Sequence, residues 1–283
     1  MSQGFARKLF TAIATAAVTS VSAIVPAAAA VTSSDVGNAL DTQCRSKEVI
    51  VIPGGANTFP GIPQEVPHGL LTAEVGIQLD ILPDTNVRYV SYQAVPFLAS
   101  TYGESFANGY AATQSAINQV VTRCPDSQIA IVGYSEGADV ASHVLNDASK
   151  GVGSLNEDNF GGASLYSTPH HGAEGAVKDG GAPADAHGVL GALEGGYGEL
   201  APRVKEFCKP GDIICDFSEK FNDLVPILLD ANISHGSIGT VEELLMNAGF
   251  APTDILQIIN GHNQHLSYTG EHKADGVQWI ANQ

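Results

Sequence analysis

Gly133-Tyr134-Ser135-Glu136-Gly137 (GYSEG) stands directly after the apolar run Gln128–Val132 (QIAIV) and opens the helical pattern Glu136–Leu145. A strand that turns sharply into a helix strains the turn residue and exposes its side chain at the carboxyl edge of a sheet. Glycines two places away on each side are needed there, because strand and helix approach too closely for side chains. With 31 glycines in 283 residues the bare pattern arises easily by accident. The strand before it and the helix after it make Ser135 the candidate nucleophile. It would stand at a helix N-terminus, whose free N–H groups and partial positive charge favour an oxyanion.

Outward from this turn the chain alternates apolar strand-like runs with helical patterns. Glu48–Ile52 and Val87–Tyr92 read as strands, with Gly162–Tyr166 and Val204–Phe207 as weaker ones. Glu104–Arg123 and Lys273–Asn282 have helical spacing. This alternation predicts a mostly parallel central sheet with helices on both faces, a three-layer α/β sandwich. Residues 167–202, rich in Gly, Ala and His, read as a long surface excursion. In 217–261 two short helices are expected. Thr240 and Glu243 form a capping box with Gly249 as stop, and Thr253 caps a second helix ended by Gly261.

Arg7 and Lys8 lead into an apolar stretch, Leu9–Val25, that ends in Ala28-Ala29-Ala30. This is the pattern of a secretory signal peptide over residues 1–30, and it implies an extracellular or cell-envelope location for 31–283 as one domain. Of the 13 basic and 30 acidic residues only Arg7 and Lys8 leave with the signal, so 11 face 30 and the net charge becomes −19. Nucleic acid is excluded as a partner, since binding it requires neutralising phosphates. In an exported chain the four cysteines favour disulfides. Proximity favours Cys208 with Cys215, which leaves Cys44 with Cys124, although three pairings exist. Zinc is disfavoured, because the one short Cys pair is spaced more widely than zinc ligands are.

A serine becomes nucleophilic only beside a base, and the base needs a carboxylate to fix its tautomer. In sheets of this type the chain order is Ser, acid, His. Asp212 in CKPGDIIC is the best acid, because a Cys208–Cys215 bridge would pin its loop after a strand. Asp216 lies outside the bridge, Glu206 in the strand and Asp230 in a helical stretch. Of the histidines after Ser135 (143, 170, 171, 187, 235, 262, 265 and 272), His265 is preferred. It sits in a loop before the C-terminal helix and can reach back over the sheet edge. His262 is its rival, and the two together are only a weak metal signal.

These residues resemble the cutinase family of serine esterases, within the α/β-hydrolase superfamily. Cys124-Pro125-Asp126 with GYSEGADVA, the Cys208–Cys215 loop with Gly211-Asp212, and His265-Leu266-Ser267-Tyr268 are similar to family motifs in order, with Cys44 ahead of the first strand. The resemblance implies Ser135 as nucleophile, His265 as base, Asp212 as its carboxylate, and bridges Cys44–Cys124 and Cys208–Cys215. The backbone N–H groups of Glu136 and Gly55 would form the oxyanion hole, with no metal or cofactor.

Three departures matter. Glu136 stands where the family has Gln, which would place a carboxylate beside the oxyanion site. The turn PGGAN lacks a hydroxyl residue found in many relatives. The interval from Cys215 to His265 is longer than in compact fungal members, so 217–261 would form a helical cap. Leu224, Ile227, Leu228, Leu229, Leu244, Leu245 and Met246 would give that cap an acyl channel or a packing face.

The implied function is a secreted esterase or lipase acting on lipidic or medium-chain acyl esters, with contact to an envelope or membrane-lipid surface. The alternatives are an envelope-lipid thioesterase or phospholipase, an acyltransferase, or a catalytically weak envelope-binding protein.

Overall fold

The computed structural model describes residues 44–94, 100–230 and 245–283. The expected signal segment 1–30, His235, Leu244 and the expected Thr240–Glu243 capping box lie outside them. The strands are β1 (Lys47–Ile52), β2 (Thr85–Tyr89), β3 (Gln128–Tyr134), β4 (Phe160–Tyr166), β5 (Val177–Asp179) and β6 (Val204–Phe207). They form one sheet in the order β2-β1-β3-β4-β6-β5, with every described pair parallel. The chain leaves β1 for β2 at one edge, then crosses to β3 on the other side of β1. The carboxyl ends of β1 and β3 therefore flank a topological switch point, where α/β sheets open a crevice.

Helices are α1 (Leu70–Asp80), α2 (Tyr102–Arg123), α3 (Glu136–Ser149), α4 (Leu224–Asp230), α5 (Pro252–His265) and α6 (Gly270–Ala281). Alternation along the strands sorts the two layers. Val49, Val51, Ala130 and Val132 face one core with Leu71, Val75 and Leu79 of α1 and Ile280 of α6. Ile50, Ile52, Ile129 and Ile131 face the other, with Ile117 and Val120 of α2 and Val140 and Val144 of α3. Both central strands are thus apolar on both faces, as a covered parallel sheet requires, and each buried aliphatic contributes about 1.5–3 kcal/mol.

Local signals set most boundaries. Thr101 caps α2: its hydroxyl accepts from the Glu104 N–H at 3.2 Å, and Glu104 accepts from the Thr101 N–H at 2.9 Å. The expected start at Glu104 is really the third position of that cap. Helix α1 had no clear reading in the sequence, because Gly69 precedes it and Gly76 interrupts it. Gly76 is there because a Cβ would strike the Tyr89 ring.

Residues 167–202 are not the surface excursion expected. Tyr197, Leu200, His170 and His171 are buried, and Tyr197 donates to Glu206 at 2.9 Å. The glycines supply tight turns, such as Gly180, whose φ of 92° fits it against the Cys208 backbone.

In the insertion, Leu224 and Leu245 pack with Phe217, Phe221 and Ile255 as a small separate core, which favours packing over an acyl channel for those two residues. Met246 is exposed. Gly249 does end a helical turn, with φ of 89° and a bond from its N–H to the Met246 carbonyl. The next helix starts earlier than expected. Pro252 takes the first position, and the Ala251 N–H donates to Asp254. Pro suits that position because its missing N–H would be unpaired anyway.

Cys44 is bridged to Cys124, and Cys208 to Cys215. The first bridge ties the entrance of β1 to the end of α2 across 80 residues. Replacing Cys44 and Cys124 by Ser is expected to lower the unfolding free energy by about 3–4 kcal/mol in urea titrations, with the transition still cooperative.

Candidate active site

Ser135 occupies the turn between β3 and α3 with φ 56° and ψ −123°, a conformation that L residues avoid. Its surroundings explain the motif. A Cβ on Gly133 would lie 2.8 Å from the Ala138 Cα, and one on Gly137 would strike the carbonyls of Ile52 and Pro53. The turn after β1 presses on the same point: a Cβ on Gly54 would lie 3.1 Å from the Ser135 Cβ. Among the described residues nothing accepts from the N–H of Glu136 or Gly55.

Residue 265 is the last of α5, not part of a loop. The helix runs past Gly261 because that glycine is a contact point rather than a stop. A Cβ there would lie 2.8 Å from the Ile213 Cβ, and the Ile213 N–H donates to the Gly261 carbonyl at 3.3 Å. His265 is thereby seated beside the Cys208–Cys215 loop. Its Nε2 lies 2.9 Å from the Ser135 Oγ, and its Nδ1 lies 3.2 and 3.4 Å from the two oxygens of Asp212. Three residues expected together are thus joined in one hydrogen-bonded row.

Asp212 is fully buried and accepts from the Ile214 N–H at 3.0 Å and the Tyr268 hydroxyl at 2.9 Å. Burial pushes its carboxyl up. The bond and charge of His265, with the Ile214 N–H and Ser167 hydroxyl, outweigh that and hold it below the ordinary carboxylate range.

Other residues of this site carried no such role in the sequence. Tyr134 stacks on the imidazole, centroids 5.1 Å apart, and its hydroxyl donates to the His265 carbonyl at 2.9 Å. Ser167, at the end of β4 with φ 51°, is fully buried and places its Oγ 2.7 Å from His265 Nδ1. A serine in an unusual backbone conformation after a buried strand is a signal, but one visible only in three dimensions. Lys209 joins two motifs by donating to the Ser267 carbonyl at 3.0 Å.

His262, the rival base, is exposed, and its ring nitrogens make no hydrogen bond among the described residues. Its ring centroid is 6.3 Å from that of His265, whose nitrogens are already engaged, so the pair is not a metal site.

Glu136 corrects another expectation. Its carboxyl does not stand in the oxyanion site: both oxygens are buried, near the Ser105 hydroxyl and Asp139 and away from solvent. Burial pushes it up to about 7, with the Ser105 hydroxyl opposing and the Asp139 charge reinforcing the rise. One argument for a catalytically weak protein is therefore removed.

The cutinase family model matches residues 73–225, over half of the chain and inclusive of Ser135 and Asp212. The chain belongs to the cutinase family. Within this family setting it is 26% identical over 207 residues to the carboxylesterase Culp6 homolog of Corynebacterium glutamicum, covering 61% of this chain and 66% of that protein. It is 33% identical over 82 residues to an acetylxylan esterase of Hypocrea jecorina, covering 28% of this chain and 27% of that one. The chain thus aligns with about two thirds of the first relative and about a quarter of the second. A solved acetylxylan esterase superposes with a TM-score of 0.56 at 18% identity, over 85% of this chain and 99% of the other, which shows the cutinase-like α/β-hydrolase fold.

Because the Glu136 carboxyl is raised on folding, the fold loses stability as pH climbs from about 4.5 through about 7. Glu136→Gln should stabilise the protein by about 2–3 kcal/mol at pH 8 and by little at pH 4.5, measured by urea unfolding at both. An equal effect at both pH values would contradict the assignment.

Proposed function

We propose that the protein is a secreted serine esterase that hydrolyses carboxylic esters of lipidic or medium-chain acyl groups through an acyl-enzyme on Ser135. The observation that carries this reading is the 2.9 Å bond from Ser135 Oγ to His265 Nε2, backed by buried, ionised Asp212 behind Nδ1. His265 takes the hydroxyl proton as Ser135 attacks the ester carbonyl. The Glu136 and Gly55 N–H groups receive the developing oxyanion, and the imidazolium then protonates the departing alcohol. Water attacks the acyl-enzyme by the same route in reverse, with His265 again the base.

Apolar surface supports a lipidic acyl group. Exposed Phe59 and Leu70 belong to the segment that follows the carboxyl end of β1, and exposed Leu266 follows His265 directly in the chain. Two disulfides and the N-terminal sequence pattern support export, and a lipid envelope fits this substrate class. The segment 217–261 is the proposed cap.

Ser135→Ala should reduce hydrolysis of a nitrophenyl butyrate by at least about 10³-fold with the fold unchanged by circular dichroism, and should abolish labelling by a fluorophosphonate. Unchanged turnover would end the proposal. An acyl-chain series on ester, thioester and phospholipid substrates, with and without an acceptor alcohol, assigns the head group.

Ser167 acts here as a positioning residue for the imidazole. Ser167→Ala is expected to lower kcat roughly tenfold, the worth of one hydrogen bond of about 1.4 kcal/mol, with KM little changed.

A further inference from the structure

We propose that Asp139, His143 and His170 form a binding site for a zinc-like divalent cation on the nucleophile helix, separate from the Ser135–His265–Asp212 row. Asp139 and His143 lie one turn apart on α3, and His170 comes from the segment after β4. His143 Nδ1 is 3.0 Å, and His170 Nε2 3.1 Å, from the same oxygen, Asp139 Oδ1. All three atoms lie within 4.8 Å of one another.

The state of these atoms points to an ion. His170 Nδ1 lies 2.6 Å from the Gly191 carbonyl, which can only accept, so that nitrogen carries a hydrogen. In the neutral ring Nε2 then turns a lone pair toward an anionic oxygen. Something positive must lie between them, either a proton or a cation. A proton requires a directed N–H···O bond. Yet Asp139 Oδ1 and His170 Nε2, both buried, satisfy hydrogen-bond geometry with nothing among the described residues. A metal ion needs each donor to face the ion, not the other donor.

Two imidazoles and one carboxylate are a zinc donor set that leaves a position open. Metal bonds of about 2.0–2.2 Å at tetrahedral angles put ligand atoms roughly 3.3 Å apart, close to the two separations from Asp139 Oδ1.

The outer partners fit as well. The Gly191 carbonyl fixes the His170 tautomer, and the Tyr102 hydroxyl donates to the other Asp139 oxygen at 2.5 Å. His143, 35% exposed, is the entry side, its ring edge-on to Phe106. Its Nδ1 also lies 3.2 Å from the Asp139 backbone carbonyl, a contact that the ion would replace. The bound ion would clasp α3 to the chain three residues beyond Ser167.

The test is zinc calorimetry and Co²⁺ absorption on chelator-treated full-length protein. One saturable site should appear, with the visible spectrum of a tetrahedral ion. Tm should rise by about 5–10 °C at zinc a hundredfold above its Kd. His143→Ala, at a half-exposed position that tolerates truncation, should lose the spectrum and the Tm rise, whereas His265→Ala should keep both. Absence of saturable binding overturns the proposal. So does binding that survives in His143→Ala or disappears in His265→Ala, and so does a His170 imidazolium signal by NMR that persists at pH 8 with excess zinc.

Discussion

The close passage of the β1 turn beneath the first turn of α3 is the constraint on which the site depends. Gly137 has no room for a Cβ against the carbonyls of Ile52 and Pro53, and Gly54 presses on Ser135 itself. These contacts hold Ser135 at φ 56°, a conformation that costs on the order of 1–2 kcal/mol and persists only when its surroundings enforce it. The covered sheet supplies the enforcement, since β1 and β3 are paired over their length and apolar on both faces. Tyr134, the residue before the strained one, then spends its aromatic face on His265. Strand end and imidazole are thereby fixed by the same local geometry.

What could be read from the sequence was whatever rests on short-range chemistry. GYSEG carries its own steric reason, QIAIV its strand periodicity, and CKPGDIIC a loop closed by neighbouring cysteines. β6 was readable residue for residue. Helix α1 was not, because its glycines answer to Tyr89 in another element. Gly261 misled for the same reason: a glycine in a chain reads as a stop, whereas here it admits the Ile213 loop. The direction of the Glu136 side chain was equally hidden, since a residue name says nothing about which side of a helix its carboxyl enters.

Residues 167–202 show the limit most clearly. Their composition is that of a mobile loop, yet buried polar groups organise them. Glu206 accepts from Tyr197 and from the Gly172 N–H, and His171 lies 3.1 Å away. A buried carboxylate left without such partners would be costly, so these bonds fix the path of the chain as firmly as an apolar core does. That path delivers Ser167 to His265 and His170 to Asp139, neither of which any spacing rule connects.

The electrostatics of α3 follow from this arrangement. Its first turn holds two buried carboxyl groups, Glu136 and Asp139, at the end where the helix offers about half a positive charge. An oxyanion formed at Ser135 draws on the same field, so ionised neighbours oppose it. Burial pushes Asp139 up, but the surrounding His143 and His170 rings and the bond from the Tyr102 hydroxyl outweigh that and hold its carboxyl well below the ordinary range. Its charge is permanent, and the partners around it, or the cation proposed there, balance it. Glu136 has no such partner among the described residues and titrates near 7. Rising pH therefore places new negative charge one residue from Ser135, where it opposes the oxyanion. The ionisation of residue 136 is thereby the adjustable one in this first turn, since the Asp139 charge is already committed.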